Sequence, residues 1–171
     1  MNWTLRRGGV GDADAIARLN HDSFRGYLTF ATAGWEPPPL EDEAGWMFER
    51  LGHPDVWCRV AEADREHAGH VAFMPATLAH SPSDEPGLAH FWMLFVRESH
   101  WGTGLARELH GEAVREAAAH GYSSMRLFVV AGQTRARRFY EREGWTAAGD
   151  PLDDNDFGLP IVEYRRALGR P

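Results

Sequence analysis

Two glycines in Trp101-Gly-Thr-Gly-Leu-Ala-Arg107 stand where an apolar run, Phe91-Trp-Met-Leu-Phe-Val96, gives way to apolar residues at 105, 109, 113, 114 and 117. The run reads as a strand and the later positions have helical spacing, so the glycines occupy a strand-to-helix turn. Gly102 and Gly104 leave the main chain bare where the first helical N–H groups lack partners. Those donors, together with the helix dipole, suit an anionic phosphate, and the ligand class is a nucleotide or a pyrophosphate-bearing cofactor. Glycine before a helix also has a purely conformational use, so the pair alone leaves both uses open.

A second segment decides between them. Gln133-Thr-Arg-Ala-Arg-Arg-Phe-Tyr-Glu-Arg-Glu-Gly-Trp145 follows another strand-like run, Met125-Arg-Leu-Phe-Val-Val130. Together the two segments resemble the GNAT superfamily, the acyl-CoA-dependent N-acyltransferases. That family's pyrophosphate loop reads Q/R-x-x-G-x-G/A, and its later helix reads N-x-x-A-x-x-F-Y-x-x-x-G-F. Here the first pattern is Trp101 to Ala106, and the second runs from Gln133 with Ala136, Phe139, Tyr140 and Gly144 in register. Trp101 stands where the family usually has Arg or Gln, and Gln133 where it usually has Asn. Main-chain amides hold the phosphates, so Trp101 matters little to that task; Gln133 keeps an amide one methylene further out.

The resemblance implies an acetyl-CoA-dependent N-acetyltransferase with coenzyme A as co-substrate and no metal. Its pantetheine arm would lie along Leu94, Phe95 and Val96 as an added strand. Gly102, Thr103, Gly104, Leu105, Ala106 and Arg107 would wrap the pyrophosphate, and Gln133 would reach the pantetheine side. Tyr140 would be the general acid toward the departing sulfur. A Glu that several members carry five residues before the motif Asn is Phe128 here. His90, with an ordinary pKa near 6.5, is then the leading candidate base, directly or through water. Glu85, Asp153, Asp154 and Asp156 are further acidic candidates, the last three better suited to drawing in a cation. The acceptor would be a primary amine of a small molecule or a peptide. The other reading open to the sequence is an acyl-CoA-binding or amine-sequestering protein of the same fold without turnover. Relatives often form homodimers through their last strands.

Composition narrows the classes. The chain has 171 residues, 43% of them hydrophobic, with 7 Trp and 9 Phe, enough to fill the core of a single domain spanning 1–171. A formal charge of −7 disfavours nucleic acid as a partner. Arg135, Arg137, Arg138 and Arg142 share one short helix, either near the cofactor's phosphates or on a solvated face. The single cysteine, Cys58, sits in an apolar strand-like run and reads as a small core residue in a reducing compartment. No segment has the ~20 apolar residues of a membrane span and no apolar block opens the chain, which predicts a cytoplasmic protein. Nine histidines call for a check on metal ligation; none of their spacings is that of a zinc site.

The elements that must position these residues follow in order. Asn2 to Arg7 reads as a strand and Asp12 to Asn20 as a helix with Asp12 at its N-cap. Phe24 to Pro39 reads as an aromatic loop, either walling the acceptor pocket or packing on the sheet. Leu40 to Leu51 reads as a helix, and Val56 to Ala63 with His67 to Met74 as a hairpin turning at Asp64-Arg65-Glu66. A polar loop from Ala76 to Gly87 precedes the central strand, and the helix after the glycines ends near His120, with Gly121 as the stop. Met125 to Val130, Thr134 to Arg142, Trp145 to Ala148 and Ile161 to Ala167 complete a strand, helix, strand, strand order, with an acidic loop from Asp150 to Pro160. Periodicity supports an α/β (α+β) domain. The resemblance adds the topology: a mixed central sheet of about seven strands, splayed in the middle and flanked by about four helices.

Overall fold

A computed structural model describes residues 2–154 and 157–169; of the candidates above, Asp156 lies outside the described residues. The strands are β1 (Thr4–Arg7), β2 (Trp57–Ala63), β3 (Glu66–Pro75), β4 (Leu88–Val96), β5 (Ser124–Val130), β6 (Thr146–Ala147), β7 (Leu152–Asp154) and β8 (Leu159–Ala167). The helices are α1 (Ala13–Phe24), α2 (Leu40–Leu51), α3 (Leu105–Ala119) and α4 (Thr134–Arg142). One sheet runs in the order β1-β2-β3-β4-β5-β8-β6, with β7 also on β8, so it has eight strands where about seven are expected.

Every pairing is antiparallel except β4 with β5, and that parallel ladder is short. It joins Leu88 to Ser124, Ala89 to Met125 and His90 to Arg126, and stops. Above it β4 pairs only with β3, through Val96 opposite Gly69, while β5 pairs only with β8, through Val130 opposite Ile161. The sheet therefore forks, leaving the edge of β4 from Phe91 to Val96 open toward β5. A register shift between Ala72 and Phe73 places Trp92 as an extra residue on β4, a bulge that bends the strand near the fork.

Two apolar clusters pack on opposite faces. On one face Phe91, Leu105, Leu109, Ala113, Met125, Leu127, Tyr140, Trp145 and Tyr164 join β4, β5 and β8 to α3 and α4. On the other, Ile16, Ala17, Met47, Leu51, Val60, Ala72, Met74 and Met93 join β2, β3 and β4 to α1 and α2. Met125 and Leu127 face α3, so by strand alternation Arg126 and Phe128 face the other side.

Local chemistry explains where the elements differ from the sequence reading. Asp64 and Arg65 both have positive φ, 52° and 65°, as a two-residue hairpin turn of the favoured twist requires, so β3 starts one residue earlier, at Glu66. Asp12 occupies the N-cap of α1 but does not cap it with its side chain. Its carboxylate instead accepts from Arg6 at 2.6 and 3.0 Å and from the Gly9 amide at 3.0 Å. α1 continues to Phe24, followed by a tight helical turn over Arg25–Thr29, so the aromatic segment is partly ordered structure. The strand expected over 145–148 shrinks to two residues because Trp145 turns into the core, its indole donating to His110 Nε2 at 2.8 Å. Within the acidic stretch, β7 pairs with β8 through Leu152 opposite Ile161 and Asp154 opposite Leu159. Gly121, at φ 88°, ends α3. Cys58 is buried, and burial pushes its thiol up to about 12, which suits a packed residue and not a nucleophile.

Candidate functional site

The turn into α3 leaves main-chain N–H groups exposed at a helix start. Gly102 and Gly104 have φ of 76° and 97°, the left-handed region that only glycine enters cheaply. A Cβ on either would meet nothing in the protein within 4 Å, so the volume beside both is open. A helical hydrogen bond first forms at the Glu108 amide, to Gly104 O at 3.0 Å, which leaves the Ala106 and Arg107 amides without partners in the helix. Leu105 donates only a long 3.5 Å bond to Thr103 Oγ1, whose hydroxyl in turn donates to His100 O at 2.7 Å. Glycine at 102 and 104 is thus required by the backbone, while packing against the protein does not require it.

Trp101 latches this loop to the end of β4, its indole donating to Val96 O at 2.8 Å. The Arg135 guanidinium lies over the Trp101 ring, 3.2 Å from its centroid, a cation–π contact that ties α4 to the loop. Arg137 donates to the Tyr164 hydroxyl and to Ala131 O, so it serves the fold. Arg107 is largely exposed and sits 3.6 Å from Glu143. Leu94, Phe95 and Val96 lie along the open upper part of β4, where a main chain from outside the sheet has an edge to pair with.

Tyr140 is held near that opening. It is 9% exposed, with ring contacts to Phe139, Trp145 and Phe91 at centroid distances of 5.3, 6.0 and 6.0 Å. Among the described residues its hydroxyl has no hydrogen-bond partner. Burial, with the nearby Tyr27, pushes its pKa well above the ordinary phenol value, so it keeps its proton at neutral pH. Gln133 stands at the N-cap of α4, and its side chain faces Tyr27. Burial raises the Tyr27 phenol to about 12, with the Gln133 amide pulling partly the other way.

The aromatic segment closes the opposite side of the opening. Phe24 meets Phe95 and Phe157 edge to face at 5.6 and 5.2 Å, and Tyr27 stacks on Trp35 at 6.2 Å. Trp35 donates to Phe157 O at 2.7 Å, tying the segment to the β7–β8 turn. Phe30 lies on Gly132, where any side chain would collide with its ring. The sequence signalled these aromatics but not Phe157, whose acidic neighbours read as a solvated loop.

His90 ends the short parallel ladder and is 7% exposed. Burial, then the Arg126 and Arg50 charges, bring its pKa down to about 3, so it is neutral at pH 7 and a weak proton acceptor. Glu85 is engaged by Arg165 at 2.7 Å, and Asp154 accepts from the Phe157 amide at 3.0 Å. Asp153 lies on β7 opposite Pro160, away from the fork. Sequence reasoning passed over Arg126, although one arginine inside the apolar run from Met125 to Val130 is a signal of a buried polar role. Among the described residues no group of three or more His, Cys, Asp or Glu could hold a metal ion. None of the described helices is long and apolar enough to cross a membrane.

With this geometry in place, known proteins give a consistent likeness. No curated protein matches the sequence. An N-acetyltransferase from Staphylococcus aureus Mu50 superposes with TM-score 0.74 at 19% identity, covering 99% of this chain and all of that one, 100%. A ribosomal-protein-alanine N-acetyltransferase from Brucella melitensis gives 0.72 at 18% identity, with 96% of this chain and 99% of that chain covered. A Salmonella typhimurium protein solved with its cofactor acetyl-CoA gives 0.72 at 20% identity, covering 100% of this chain and 96% of that chain. At such identities the likeness speaks for the fold. The sequence pattern of the Acetyltransferase (GNAT) family matches residues 14–145, which include the glycine turn, the fork and Tyr140. The chain belongs to the GNAT family of acetyltransferases.

Proposed function

We propose that the protein is an acetyl-CoA-dependent N-acetyltransferase that transfers the acyl group directly to a primary amine of a small molecule or peptide. The observation that carries the reading is the open fork between β4 and β5, with an anion-ready helix start at its mouth and a protonated phenol beside it. The residues fit the group: glycines with positive φ and open volume beside them, amides at Ala106 and Arg107 with no partner in the helix, and an edge of β4 at Leu94 to Val96 that no strand among the described residues pairs on the β5 side, where the Trp101 indole holds Val96 O. Acetyl-CoA, when bound, supplies an activated thioester.

The chain's own part is positioning and proton handling. The amides from Gly102 to Arg107 hold the diphosphate, and β4's open edge with Gln133 orients the pantetheine amides. Tyr140 keeps a proton available for a leaving thiolate, because its buried hydroxyl favours the neutral form. The amine must arrive neutral or lose its proton to water; His90, already neutral, can accept a hydrogen bond there but not a full proton from an ammonium. The N-acetyltransferases from Staphylococcus aureus and Brucella melitensis share the fold and support amine nitrogen as the acceptor. The test is thiol release from acetyl-CoA against a panel of primary amines, alongside calorimetry with coenzyme A. Saturable turnover on at least one amine is expected. Absence of any coenzyme A binding overturns the reading, and binding without turnover on every amine favours an acyl-CoA-binding or amine-sequestering protein of the same fold.

A further inference from the structure

Among the described residues, two buried polar atoms at the vertex of the fork lack hydrogen-bond partners, and the residues that carry them pair across the ladder. Arg126 is 5% exposed; its Nη2 donates to Ser81 O, but its Nε is buried with no hydrogen-bond partner. His90, its partner across the parallel ladder, has a buried Nδ1 that is also unpartnered. Phe128 lies beside both, its ring 5.6 Å from the His90 ring and 5.1 Å from the Arg126 guanidinium carbon. Buried polar groups are satisfied in roughly 90% of cases or more, and a guanidinium N–H left unmade is among the costlier exceptions. Two such exceptions side by side, where the sheet opens, point to one ligand that supplies what both lack.

The charges specify the ligand's sign. Among the charged groups that act on His90 both are cations, Arg126 beside it and Arg50 from α2, whose guanidinium donates to Leu78 O. Two carboxylates, Glu163 and Glu85, lie in electrostatic range of Arg126, but each is bonded by Arg165. The planar edge of a guanidinium matches a carboxylate in paired hydrogen bonds.

Taking the acyltransferase reading as given, we propose that the acceptor is an amine bearing a carboxylate, an amino acid or a close analogue, and that Arg126 is the specificity residue that holds it. His90 then sits beside the bound carboxylate and accepts or donates a hydrogen bond at Nδ1. Burial is the main reason His90 stays neutral, and a carboxylate there offsets the smaller push of the two cations, so the bound acceptor moves His90 toward greater basicity.

The test compares α-amino acids with the amines that differ from them only by loss of the carboxylate. In wild type the acid should exceed its decarboxylated partner by about tenfold or more in kcat/KM, the range expected for one charge-assisted contact. Arg126→Gln should lower kcat/KM for the acid by about 30-fold, mainly through KM, and change the amine less than about threefold. Arg126→Lys should keep part of the preference. Unchanged coenzyme A affinity and thermal unfolding show that the variants are folded. Calorimetric titration of the amino acid into wild type and Arg126→Gln, with and without coenzyme A, reads the same contact without turnover. Loss of turnover on all amines with arginine-dependent amino-acid binding intact thus sinks the catalytic reading and leaves this one standing. Equal losses on acid and amine, or a wild-type preference for the uncharged partner, overturn the proposal. So does a loss seen only with succinyl-CoA as donor, which would assign Arg126 to the acyl group.

Discussion

His90 and Arg126 are the last pair that joins β4 to β5, and above them the two strands part. That one pairing sets the depth of the fork, and with it where the open edge of β4 begins and where the buried Arg126 Nε is left without a hydrogen-bond partner among the described residues.

Tyr140→Phe separates chemistry from packing. The ring contacts to Phe91, Phe139 and Trp145 survive, and the lost hydroxyl has no protein partner among the described residues. Stability should change by less than about 0.5 kcal/mol, while kcat falls by about 10²-fold, the lower range for a positioned acid. Denaturant titration and steady-state kinetics check the two halves; an unchanged kcat would remove Tyr140 from the mechanism.

The glycine turn can be tested against a matched control. Gly102→Ala and Gly104→Ala force alanine to φ of 76° and 97°, and Gly121→Ala does the same at 88° with equally open surroundings. Each should lose about 1–2 kcal/mol of stability. Only the first two should also weaken coenzyme A binding, by about tenfold or more, because only they stand where a phosphate would approach. Similar affinities for all three variants, measured by calorimetry, would mean the loop does not hold the diphosphate.

Acid should destabilise the protein early. Burial lowers His67 and His110 to about 4, His90 to about 3, and His70 well below its ordinary value. Unfolded histidines bind protons below about 6.5, the folded ones do not, so stability is full above that pH and falls as pH drops toward 4. Each such histidine contributes up to about 1.4 kcal/mol per pH unit in that window. Glu43 works in the opposite sense: burial raises its pKa, so its contribution declines as pH rises through the folded value. Urea midpoints at pH 7.5 and 5.5 should differ clearly, and a flat profile would mean the histidines are hydrated.

Trp35→Ala should act on the acceptor alone. It removes the bond to Phe157 O and the ring contacts to Tyr27 and Phe157, leaving the glycine turn untouched. The acceptor KM should rise by about tenfold with coenzyme A affinity unchanged. If both change together, the aromatic wall supports the cofactor side as well.

Much of this protein is written locally. The turn at Asp64-Arg65, the stop at Gly121, the helix over Thr134–Arg142 and the glycines at 102 and 104 follow from backbone and periodicity rules that act within a few residues. Other features depend on partners far along the chain. Asp12 reads as a cap until Arg6 takes its carboxylate, Trp145 reads as a strand until His110 draws its indole inward, and β7 exists only because β8 is there to pair with it. His90 and Arg126 lie in separate segments with α3 between them, and no local pattern states their register. Side chains alternate along a strand, so a slip of one residue would turn Arg126 into the α3 core and Leu127 to the fork. The sequence by itself determined a family resemblance, a glycine turn and a motif tyrosine; the tertiary structure decided which charges share the vertex, because parallel pairing across a helix is settled by packing on both faces of the sheet and not by neighbours in the chain.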